Sequence, residues 1–66
     1  MDYGEYTNLY LNLRNDKTSG DEHIYELCKL MYEDGYEIEL IYYFLEELEC
    51  HCIGYVFEEL FRNGCF

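Results

Sequence analysis

Ser19-Gly20-Asp21-Glu22-His23-Ile24-Tyr25-Glu26-Leu27-Cys28-Lys29-Leu30-Met31-Tyr32-Glu33-Asp34-Gly35 is the stretch that decides the fold class. At 100° per residue Ile24, Leu27, Cys28, Met31 and Tyr32 share one face of a helix. Glu22, Glu26, Lys29 and Glu33 share the opposite face. Ser19 and Glu22 stand at the spacing of a capping box, which satisfies two orphan amide donors reciprocally. Gly35 is placed to end the helix in the left-handed conformation. The pattern predicts an amphipathic helix over Asp21–Glu33.

Downstream, residues 36–51 predict a second helix. Ile38, Ile41, Tyr42, Leu45 and Leu48 recur at helical spacing, and Leu40 and Phe44 widen the apolar stripe to roughly 200°, where a surface helix needs somewhat more than ~100°. This helix is therefore expected either at the centre of the monomer or shared with a partner chain, with Leu40 and Phe44 at a homodimer contact. Residues 53–63 predict a third helix, with Ile53, Val56, Phe57, Leu60 and Phe61 on its apolar side. Its Glu58 and Arg62 form an i,i+4 pair, and Gly64 ends it. Phe66 is expected to fold back on the core.

Upstream, the N-terminal segment reads two ways. Tyr6, Leu9, Tyr10 and Leu13 fit a helix that Asp2 and Glu5 would cap. Leu9, Leu11 and Leu13 also alternate with Asn8, Tyr10 and Asn12, as in a strand. The helix is favoured, because a lone strand would have to pair with its own copy. The expected fold is all-α, a small bundle of three to four short helices. The alternative is α+β, with one N-terminal strand pairing in a dimer.

The chain has 66 residues, enough for one domain over 1–66, with an N-terminal segment and loop at 1–20 and a helical core at 21–64. A chain this short often needs a disulfide, a metal or a partner chain, and the wide stripe of the second helix points to a partner. No basic n-region with an apolar h-region opens the sequence, and no apolar run approaches bilayer length. A cytoplasmic protein with reduced Cys28, Cys50, Cys52 and Cys65 is expected.

No metal and no cofactor are expected. Cys50-His51-Cys52 is the densest group of potential ligands, but it lacks the usual C-x₂₋₄-C spacing of zinc sites. On a continuous helix its side chains would diverge by 100°, so three consecutive ligands would require a broken helix, and Gly54 makes a break nearby plausible. Cys28 and Cys52 read as small core residues, and His23 and His51 as surface residues. No nucleophile–base pair or phosphate loop stands out, and an enzyme is not expected.

Charge is the most informative feature. The chain carries 15 acidic and 4 basic side chains, a net charge of −11. Residues 21–59 hold twelve carboxylates and one lysine, which accounts for all of it. Direct binding to nucleic acid or to an anionic membrane is excluded by sign. Glu37, Glu39, Glu46, Glu47 and Glu49 fall on ~20 Å of expected helix, about one charge per 4 Å, against one per ~3.4 Å along a DNA strand. Tyr25, Tyr36, Tyr43 and Tyr55 stand among the acids as candidate aromatic anchors. The expected partner-binding residues are Glu33, Asp34, Glu37, Glu39, Tyr43, Glu46, Glu47 and Glu49.

The stretches Tyr32-Glu33-Asp34-Gly35-Tyr36-Glu37 and Glu46-Glu47-Leu48-Glu49, in so small and aromatic a chain, resemble the acidic DNA-mimic inhibitors of bacteriophages and mobile elements. The resemblance is compositional, and no motif defines the class. It implies a non-enzymatic anti-defence or regulatory inhibitor in the host cytoplasm. The implied partner is a nucleic-acid-binding host protein: a nuclease, a CRISPR effector, a polymerase or a nucleoid protein. The competing expectation is a helical protein–protein module that docks through apolar surface, with its acids serving solubility.

Overall fold

The computed structural model describes residues 2–18 and 20–64, and Ser19, Cys65 and Phe66 lie outside the described residues. The described residues form four α-helices, α1 (Tyr3–Asn15), α2 (Asp21–Glu33), α3 (Ile38–Glu47) and α4 (Ile53–Arg62). The N-terminal segment is a helix, and no strand occurs among the described residues. The Asp2 carboxylate caps α1 by accepting the Glu5 N–H at 2.9 Å. Tyr6 and Tyr10 are its buried residues, whereas Leu9 and Leu11 are exposed.

Helix α2 spans the expected residues and is the hub, packing against α1, α3 and α4. Its N-cap is Gly20, whose N–H donates to His23 Nδ1 at 3.1 Å. His23 thus reaches back as a glutamate would in a capping box. At the other end Asp34 is the C-cap and Gly35 takes φ 106°. The Tyr36 N–H donates to the Met31 carbonyl and the Gly35 N–H to the Tyr32 carbonyl, which together make a Schellman motif.

Helix α3 is shorter than expected. It ends at Glu47, with Leu48 as C-cap and Glu49 at φ 55°. The Cys50 N–H donates to the Leu45 carbonyl and the Glu49 N–H to the Glu46 carbonyl, the same motif as at the end of α2. The expectation of a helix through His51 is corrected here: Cys50, His51 and Cys52 lie in the turn before α4.

The core joins all four helices. It consists of Tyr6, Tyr10, Ile24, Leu27, Cys28, Met31, Ile41, Phe44, Leu45, Cys50, Cys52, Val56 and Leu60. Phe44 is 0% exposed, which overturns its expected place at a dimer contact. Its ring takes edge-on contacts from Tyr3 at 5.4 Å and Tyr10 at 6.0 Å. Helix α1 therefore covers the part of the α3 stripe that seemed to need a second chain. Only Leu40 of the expected pair stays outside, at 49% exposed.

Candidate functional site

Helix α3 turns Ile41, Phe44 and Leu45 inward. The 100° step then sends Glu39, Tyr43 and Glu46 outward along one line, with Tyr42 to one side and Leu40 and Glu47 to the other. Tyr43 is 57% exposed, and the three glutamates are exposed with it. The turn before α3 adds Asp34 and Glu37, the end of α2 adds Glu33, and the turn after α3 adds Glu49, all of them exposed. The eight expected partner-binding residues thus lie on α3, its two flanking turns and the last residue of α2.

The charge spacing differs from the expectation in one respect. Glu37 is the N-cap of α3 and Glu49 lies beyond its C-cap, so the helix itself carries Glu39, Glu46 and Glu47 over ~15 Å. Two of the aromatic anchors also change. Tyr25 and Tyr36 are half-buried, and Tyr36 packs edge-on against Tyr6 at 5.5 Å.

Few cations meet these acids. Arg62 pairs with Glu58 at 3.0 Å, as the i,i+4 spacing predicts, and with Glu59 at 3.4 Å. His51 Nε2 lies 3.3 Å from Asp21 Oδ1. Among the described residues no lysine or arginine lies within ion-pair distance of Glu33, Glu37, Glu39, Glu46, Glu47 or Glu49. Neutral donors partly take that role. The Tyr3 hydroxyl donates to Glu47 at 3.3 Å, and the Tyr6 hydroxyl to Asp34 at 3.1 Å. Burial first, and then the facing carboxylate, pushes both tyrosine hydroxyls above their ordinary range. Glu46, as acceptor and as charge, pushes Tyr42 up in the same sense.

Apolar surface adjoins the acids. A shallow groove lined by Ile38, Glu39, Tyr42, Tyr43 and Phe57 runs between α3 and α4. The Tyr42 and Phe57 rings meet there at 5.8 Å.

A second constellation sits at the α3–α4 turn. Cys50 and Cys52 are buried with their sulfurs 3.4 Å apart, one thiol donating to the other. Ligand atoms of Asp21, His51 and Cys52 lie within 4.8 Å of one another. The divergence expected of consecutive residues on a helix does not apply, because these residues are not helical. Burial pushes the Cys28 and Cys52 thiols up to about 12, and Cys50 beside them adds to the shift. The sequence holds the residues of this cluster, but their meeting depends on a turn that Gly54, beyond the cluster, signals only nearby.

No helix among the described residues is long and apolar enough to cross a membrane. The chain matches no protein-family model, no curated protein and no solved structure.

Proposed function

We propose that this protein is a non-enzymatic, acidic inhibitor that occupies the basic nucleic-acid-binding surface of a host or defence protein in the cytoplasm. The observation that carries this reading is the row of exposed carboxylates on α3 and its flanking turns, with no lysine or arginine in reach of most of them. Acids that served solubility alone would gain from interspersed lysines at i,i+4, and this face forgoes them. A groove built for phosphates would meet these carboxylates in their place and release the same counterions. Tyr43, standing among them, supplies an aromatic contact of the kind that anchors interfaces. Leu40 is the proposed contact of a homodimer, now without Phe44.

The test is retention of nuclease-treated lysate proteins on the tagged chain, eluted with a salt gradient and challenged with duplex DNA. The reading requires a nucleic-acid-binding protein that elutes at moderate salt and is displaced by DNA. The apolar groove beside Tyr42 and Phe57 favours the second reading, a helical interaction module. That module would hold its partner at high salt, ignore DNA, and lose it when Tyr42→Asp is introduced into the groove.

A further inference from the structure

We propose that the α3–α4 turn and the first residue of α2 form a binding site for a borderline-soft divalent cation of the Zn²⁺ class. Its ligands are an Asp21 carboxylate oxygen, His51 Nε2 and Cys52 Sγ, which lie within 4.8 Å of one another, and solvent would complete the tetrahedron. Three observations carry the inference. The first is backbone placement. The left-handed Glu49 ends α3, so Cys50-His51-Cys52 leaves the helix and faces the start of α2. The second is donor spacing. The Nε2–Oδ1 distance is 3.3 Å, and Cys52 Sγ lies within 4.8 Å of ligand atoms of both residues. With Zn–N and Zn–O near ~2.0–2.1 Å, the N–O edge of a tetrahedron is about 3.3 Å. The His51–Asp21 edge thus already has the length a tetrahedral ion needs, with the sulfur close to both. The third is chemistry. A thiol, an imidazole and a carboxylate suit zinc, whereas magnesium and calcium take oxygen ligands.

Binding would deprotonate the Cys52 thiol. Its S–H bond is replaced by a metal–sulfur bond, and one proton goes to solvent, so affinity rises with pH. The imidazole binds in its neutral form through Nε2. The ion would tie the start of α2 to the turn before α4, joining residues 21 and 52. Small domains use metal staples of this kind when a thin core is not enough.

Titration of the reduced full-length chain with Co²⁺ tests the site. The expected result is a one-to-one complex with the visible bands of tetrahedral cobalt and a thiolate-to-cobalt charge-transfer band, both removed by Zn²⁺. Zinc at a hundred times its Kd should raise the melting temperature by about 10 °C or more. The side chains of His51 and Asp21 are 75% and 47% exposed, so His51→Ala and Asp21→Asn should fold and yet bind more than about tenfold more weakly. Cys52→Ser should abolish the charge-transfer band, and Cys65→Ser should keep it. The proposal is overturned if the reduced chain gives no such band, or if binding is unchanged in His51→Ala.

Discussion

The turn that ends α2 and the turn that ends α3 are closed by the same pair of hydrogen bonds, yet they place different residues in the left-handed position. Gly35 takes φ 106°, and Glu49 takes φ 55°. The first angle lies outside the small left-handed region open to side-chain-bearing residues, and the second lies within it. Gly35 is therefore required by its backbone, while Glu49 occupies a conformation that L-residues enter at a cost of roughly 1–2 kcal/mol. Both motifs place their next residue against the core: Tyr36 is half-buried and Cys50 is buried. A glycine at 49 would close α3 at least as well. Glutamate adds a carboxylate to the acidic face at that cost, and strained backbone of this kind gathers at functional positions. The two turns also rest on different chemistry. Tyr6 secures the first through Asp34, whereas the second rests on thiols and on Arg14, which donates to the Leu48 carbonyl at 2.9 Å.

Alkaline pH should separate the turns by the largest effect. Unfolded thiols lose their protons near pH ~8.5, while the folded chain holds those of Cys28 and Cys52 to about 12. Above the unfolded value the native state binds more protons than the unfolded one. The thiol contribution is therefore intact below that value and is lost as pH rises toward 12. For the fully buried Cys28 the loss approaches ~1.4 kcal/mol per pH unit within the window. Tyr6, also raised, begins to titrate in the unfolded chain only near ~10, so the thiols set the slope below that pH. Denaturant melts of the reduced protein at half-unit steps from pH 8 to 11 measure the slope. Cys28→Ala should flatten it by about one proton. An unchanged slope would mean that this thiol titrates alike in both states.

The acids along α3 give the next effect. Glu39→Gln, Glu46→Gln and Glu47→Gln together should weaken binding to the partner by about 10- to 100-fold at low salt, or ~1.4–2.7 kcal/mol. The same triple variant should melt at the same temperature or higher, because it removes like charges from one face. A triple variant that binds normally would turn the comparison around, leaving the left-handed glutamate without a partner-binding purpose. Added salt should raise the melting temperature of the parent more than that of the variant.

How much of this was legible in sequence depends on how local each cause is. Helix α2 was read to the residue, because its apolar period and Gly35 are signals within the helix and its cap. The reading of α1 was divided, because Leu9 and Leu13 fit both periods, and the helix was favoured because a lone strand would have no partner in the chain. The end of α3 was missed, because a glutamate in the left-handed position carries no mark in the sequence. That miss bears on Cys50-His51-Cys52, set aside as a ligand group because its spacing is not that of zinc sites and its side chains would diverge on a helix. Phe44 was assigned outward because its cover, Tyr3 and Tyr10, comes from more than thirty residues away. The acids among the expected contact residues were legible as exposed, since charge keeps such side chains in water.

Gly35→Ala tests the first turn directly. A Cβ there would meet nothing within 4 Å, so the cost is conformational and not steric. A loss of about 1–2 kcal/mol in thermal or denaturant melts is expected. The acidic face should still bind if the chain remains folded, because Gly35 contributes no charge.

Glu49→Gly carries the smallest effect and decides the most. The substitution relieves the left-handed conformation and removes one carboxylate, so stability should rise by about 1 kcal/mol. Glycine also adds freedom to the unfolded chain, which offsets part of the gain. Glu49→Gln removes the charge and keeps the strain. Measured together, the two variants separate conformation from charge. If the acidic face is functional, both lose the same severalfold of partner affinity, while only the glycine variant gains stability. If Glu49→Gln also stabilises by ~1 kcal/mol, charge repulsion rather than backbone conformation is what Glu49 costs the fold. If neither variant changes binding, the carboxylate at 49 lies outside the contact, and the acidic interface ends with α3 itself.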